Sequence, residues 1–183
     1  FARHPELQEL NAQFGCKGIE EGKFASPFNT GVRTSLVQMV ESFARRYPSI
    51  AGIVLNCRLS YGEVLGYGEA ARVAYIRQKQ IDPIDLILGT GEEEMESLVR
   101  EWYLHKRDEI SRLVGEIGSA YKGLNPKGKV LAVGSANFYR QKLGLRNLTC
   151  QDWLHWMEQG YLDEMLLEET WSDPKNDKLW KAA

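Results

Sequence analysis

Two short apolar runs constrain this chain more than any other feature. The first is IAGIVLN, Ile50 to Asn56, and the second is VLAVGSAN, Val130 to Asn137. Neither alternates apolar with polar residues. A strand wetted on one face does alternate, whereas a strand apolar on both faces belongs to a parallel sheet covered by helices. A third run, YLDEMLLEETW, reads as another strand. Helical patterns separate the three, so the order is helix, strand, helices, strand, helix, strand. That order predicts an α/β fold of βαβ units with right-handed crossovers.

The helices have recognisable ends. Asn29 is a good N-cap for a helix of about four turns. Val32, Leu36, Val37, Val40 and Phe43 recur at helical spacing as its apolar face. Pro48 disfavours helical geometry at Tyr47 and closes it. EAARVAYIRQKQ is a second helix, with Ala71, Val73, Ala74 and Ile76 available for packing. IDPIDLILGTG is a connector that turns at Asp82-Pro83. The longest helix runs from about Glu92 to about Lys122. Met95, Leu98, Val99, Trp102, Ile110, Leu113, Val114 and Ile117 form its stripe, and the acidic GEEEME suits its positive end. TCQDWLHWMEQG is a further helix, with Thr149 as its expected N-cap and Gly160 as its stop. The opening HPELQELNAQFG reads as a short helix or an irregular arm, and SDPKNDKLWKAA as a polar tail.

At 183 residues the chain is long enough for one domain with a substantial core, and no linker or repeat divides it. A net charge of −2 gives no electrostatic case for nucleic acid or anionic lipid. No apolar run approaches the roughly 20 residues of a membrane span. No signal peptide is visible; the chain begins at Phe1 without Met and reads as a piece of something longer. Cys16, Cys57 and Cys150 are odd in number and widely spaced, which suggests buried free thiols. His4, His105 and His155 are scattered, so no metal or cofactor is expected.

The three strands end in polar clusters: Asn56-Cys57-Arg58, Gly134-Ser135-Ala136-Asn137 and Glu168-Glu169-Thr170-Trp171. In a (β/α) barrel such ends converge on one face, which carries the active site. An amide, a guanidinium, carboxylates and an aromatic ring are suited to a sugar: the polar groups bind hydroxyls and the ring stacks on a pyranose. Each also has an ordinary reading. Arg58 could pair with a loop carboxylate, Tyr61 and Tyr67 could pack their loop, and exposed Glu is common. Trp102, Trp153 and Trp156 sit at helical spacing, as core residues do. Ser135 lies in no nucleophile motif, which argues against a serine hydrolase.

Ordered phrases along the chain resemble the bacterial glycoside-hydrolase-like TIM barrels related to family 10. The family's SPxNPxVR-like phrase is matched by SPFNTGVR, its DGIxLD strand by AGIVLN, and its loop into GIDPxDL by LGYGEAARVAYIRQKQIDPIDL. Its closing xNPKxK is matched by GLNPKGK, and its QDWxxWLEEGxxD by QDWLHWMEQGYLD. The resemblance covers most of Ser26 to Trp171. It implies a (β/α) TIM-barrel-like domain, or a fragment of one, whose strands look like the fourth to sixth of eight. The implied open sheet edges call for self-association or for missing chain to cover them. Relatives often carry export signals, so the resemblance leaves a secreted or cell-envelope location open.

The resemblance also implies a function: acting on or binding a carbohydrate at the strand C-terminal ends. In that reading Asn56 and Arg58 orient the sugar and Asn137 adds an amide. Glu63 or Glu168 serves as acid or base, and Tyr61 and Trp171 stack. The departure lies at the family's LD, whose Asp is Asn56 here; the Asp of DG is Ala51. Glycosidases need two carboxyl groups, and an amide is neither nucleophile nor base at neutral pH. A non-catalytic relative that binds glycan or protein is the alternative.

Overall fold

A computed structural model describes residues 4–10, 25–56, 66–88, 93–135 and 150–168. Helix α1 spans Thr30–Arg46 and starts as the sequence predicts. Asn29 Oδ1 accepts the N–H groups of Gly31 and Val32 at 2.9 and 3.3 Å. Its Nδ2 donates to the Glu6 carbonyl at 3.3 Å, which ties α1 to a short 3-10 turn at Pro5–Leu7. The predicted face of α1 turns inward at Val32, which is buried, and at Val40, which packs against the core; Phe43 departs from it. Val32, Arg33 and Ala44 are buried, whereas Phe43 faces out and rests on Tyr47, 5.0 Å between ring centres. Arg33 joins the buried residues of this face because it finds carboxylate partners inward.

Strand β1 is Gly52–Leu55, β2 is Lys129–Ser135 and β3 is Glu164–Glu168. They form a parallel sheet in the order β1-β2-β3. Gly52 is needed for the closeness of the first pair, since a Cβ there would meet the Lys129 carbonyl. Register pairs Leu55 with Ala132 and Ser135 with Glu168. Hence β1 ends three levels short of its neighbours.

The helical cover expected of a parallel sheet lies on one face. Val130 and Ala132 are fully buried, and Ile53, Leu55 and Met165 pack beside them against the helical core. The opposite face carries Leu131 and Val133, half-buried, with Val54 50% and Leu166 46% exposed. The described helices contribute residues to that core, and Val54 and Leu166 on the opposite face stay exposed.

Helix α2 is Glu69–Lys79, and the predicted connector after it contains a short helix, α3, at Asp85–Leu88. The turn between them is built on Asp82. Its Oδ1 accepts the Ile84 N–H at 3.1 Å and its carboxylate pairs with Arg72 at 2.5 Å. Helix α4, Glu93–Leu124, is the spine of the core through Trp102, Ile110, Leu113, Val114, Ile117 and Tyr121. Helix α5, Trp153–Glu158, starts later than predicted because Asp152 is its N-cap; its Oδ1 accepts the His155 N–H at 3.4 Å. Thr149, the expected cap, lies outside the described residues. Gly160 ends this segment with φ 68°, a conformation that favours glycine.

The three tryptophans among the described residues are packing residues. Trp102 and Trp156 are buried, and Trp153 packs against the core. Trp156 Nε1 donates to Ser111 Oγ at 2.8 Å. Cys150 is a buried free thiol, while Cys16 and Cys57 lie outside the described residues.

Candidate functional site

Several phrases picked out in the sequence turn out to be joints. Arg33, from SPFNTGVR, is buried between two α4 carboxylates. Its Nη1 donates to Glu109 at 2.7 Å, and its Nε and Nη2 engage Glu116. Asn125, from GLNPKGK, donates to the Ile50 carbonyl at 3.0 Å and pins the end of α4 beside the entry to β1. Asp163, from QGYLD, accepts the Val130 N–H at 2.7 Å and the Lys122 ammonium at 2.8 Å. Burial works to raise its carboxyl pKa, but Lys122 and the Val130 N–H outweigh that and hold it below its ordinary value. The Asn125 and Asp163 joints sit at the N-terminal ends of the strands, where a barrel is held together.

The strand-end positions singled out in the sequence lie at the other end. Asn56 follows directly on β1, is exposed, and donates its N–H to the Val54 carbonyl at 3.0 Å. Ser135 and Glu168 end β2 and β3 and are register partners, so their backbones lie side by side. These three predicted positions therefore share one end of the sheet. Arg58, Tyr61, Glu63, Asn137 and Trp171 lie outside the described residues, as does Glu169. The distance between carboxyl groups that would separate a retaining from an inverting glycosidase involves those residues.

Behind this end stands a buried constellation that the sequence did not signal. Helix α4 enters β2, so it runs back along the strands, and Trp102 lies about 30 Å up its axis from Leu124. Four-residue β1 rises only about 13 Å, which puts Trp102 beyond its C-terminal end. Around Trp102 gather Phe28, Tyr67, Tyr75 and His105, with ring centres 4.9 to 6.2 Å away. Lys106 is fully buried, its ammonium 4.3 Å from the centre of the Tyr103 ring and 5.5 Å from that of Tyr67. Glu9 is also fully buried, and its Oε1 accepts the N–H groups of Gly68 and Leu10, both at 3.0 Å. It thereby caps the N-terminus of α2, where the helix dipole favours a negative charge. No solvent reaches Glu9 or Lys106, so they fix the loop that returns to α2 and do not meet a substrate directly. The sequence hides their burial: a lone Glu in an N-terminal arm and a Lys in a helix both read as surface residues.

A groove of about 710 Å³ lies elsewhere, between α1 and α4, lined by residues including Thr30, Arg33, Arg112, Glu116 and Tyr161. Its charges already pair with one another: Arg33 with Glu109 and Glu116, and Arg112 with Glu109 at 2.7 Å. It is a helix-packing groove with a self-neutralised wall. Among the described residues no group of three His, Cys, Asp or Glu could hold a metal ion, and no helix is long and apolar enough to cross a membrane.

Comparison with known proteins bears on this arrangement. The model of a family described as Glycosyl hydrolase-like 10 matches residues 3–178, nearly the whole chain. No curated protein matches the sequence.

Proposed function

Because the chain belongs to the glycosyl hydrolase-like 10 family, we propose that it is a glycosidase-like barrel protein that engages a carbohydrate at the C-terminal ends of its parallel strands. The observation that carries this reading is the family match, taken with an exposed Asn56 at the end of β1. In this proposal Asn56, Arg58 and Asn137 hydrogen-bond sugar hydroxyls, and Tyr61 and Trp171 stack on the ring. Glu63 and Glu168 are the candidate acid and base. The uncovered face of Val54, Leu131, Val133 and Leu166 supports the barrel, because a closed barrel buries such residues in its interior. Further chain or a second copy would then continue the sheet beyond β1 and β3.

The amide at position 56 favours binding without hydrolysis. A carboxylate there could take or give a proton or attack a carbon; an amide only accepts and donates hydrogen bonds. Hydrolysis of a panel of β-glycans by the protein and by its Asn56→Asp variant separates the two readings. Turnover by the unaltered protein supports an enzyme. Turnover by the Asp variant alone sinks the enzyme reading and leaves a glycan-binding relative. Retention on none of the immobilised glycans, with no turnover by either protein, rejects the carbohydrate proposal.

A further inference from the structure

The aromatic constellation behind the strand ends holds a set of polar atoms with no partner among the described residues. Tyr75 Oη, Trp102 Nε1 and His105 Nε2 are all buried and all unpartnered. They belong to three side chains in mutual contact. Ring centres are 4.9 Å apart for Tyr75 and Trp102, 5.3 Å for Tyr75 and His105, and 5.7 Å for Trp102 and His105. Tyr75 is fully buried and Trp102 is 1% exposed, so bulk solvent does not satisfy them. A fourth such atom, Ser26 Oγ, is two residues from Phe28, whose ring stacks on Trp102 and His105.

Buried polar atoms are nearly always hydrogen-bonded, and three lapses in one packed triangle are not chance. The donor and acceptor types are also complementary. The indole N–H only donates, the phenol does either, and a neutral imidazole nitrogen accepts. A water, with two donors and two acceptors, matches all three in kind. We propose that the Tyr75–Trp102–His105 triangle is an internal hydration site, in which a bound water accepts from Trp102 and Tyr75 and donates to His105. Such waters make about three hydrogen bonds and are costly to remove. This one joins α2 to α4 at the strand C-terminal side, independently of any sugar chemistry there. Burial among the rings lowers the His105 pKa from its ordinary 6.5, which keeps the imidazole neutral and able to accept.

The sign of one substitution tests the site. Tyr75→Phe removes only the hydroxyl. If water satisfies Oη, the variant loses a hydrogen bond and its Tm falls by about 2–4 °C. If Oη is an orphan, its removal relieves a desolvated group and Tm stays or rises, which overturns the proposal. A second readout uses the unaltered protein. The Trp102 indole proton should show a nuclear Overhauser cross-peak to a long-lived water, lost in Tyr75→Phe. Absence of that cross-peak in the unaltered protein overturns the proposal whatever the Tm does.

Discussion

Gly118 and Gly123 lie on the same helix, and the same change at each should have opposite effects. Helix propensity alone favours Ala over Gly by about 1 kcal/mol at an interior position. At Gly123 a Cβ meets nothing within 4 Å, so Gly123→Ala should stabilise by about 0.5–1 kcal/mol, reduced by its place in the last turn. At Gly118 a Cβ would lie 2.5 Å from the Tyr161 carbonyl oxygen. That oxygen is backbone and cannot rotate away. Moving it means moving the turn whose next residues, Leu162 and Asp163, are buried or bonded to β2. Overpacking costs typically 1–3 kcal/mol, and a backbone clash belongs at the upper end. Subtracting the helix gain leaves a net loss of about 1–2 kcal/mol for Gly118→Ala. With a urea m-value of roughly 2 kcal/mol/M, the two midpoints should separate by about 1 M, in opposite directions from the unaltered protein. Circular dichroism at the helical signal measures both. Equal midpoints would refute the seating of the Tyr161 turn in a glycine notch of α4.

Two further outcomes follow from the charges. Arg33→Met leaves Glu109 and Glu116 without their inward partner, and the loss should be about 2–4 kcal/mol, discounted because the Glu116 side chain is 41% exposed; thermal melts in which Arg33→Met matches the unaltered protein would contradict a structural ion pair. Folding should weaken as pH falls below about 6.5, because unfolded His105 binds a proton that the buried imidazole resists. Its contribution is fully present above the ordinary pKa and is lost as pH falls from there toward the depressed folded value. Glu109 and Asp108 oppose the depression, while Arg112 and Lys79 reinforce it. Urea titrations at pH 7 and 5 should show this slope, and His105→Asn should flatten it.

Much of the frame was legible because its signals are local. Asn29 announces its cap by residue type, Gly160 its stop, and the unalternating strands their parallel pairing. Phrases such as SPFNTGVR and GLNPKGK carry the family because their residues build joints: Arg33 to α4, and Asn125 to the backbone before β1. The end of β1 at an amide was legible too, since strand and loop composition change there.

Other features required the fold. Whether Arg33 is buried on α1 depends on carboxylates 76 and 83 positions away, so periodicity placed Val32 and Val40 but pointed Phe43 inward and left Arg33 out. Glu9 and Lys106 became core residues only when the arm folded over α2 and the rings of α4 closed round the ammonium. The α5 cap moved to Asp152 because Thr149, Asp152 and their neighbours offer several capping side chains, and packing of Trp156 on Ser111 selects among them. The sequence by itself determined the elements, their order and the amide at the strand end, because propensity, capping and pattern act over a few residues. The tertiary structure decided which charges are buried, which sheet face is left uncovered and which polar atoms are buried behind the strand ends, because burial is a property of what the rest of the chain brings alongside.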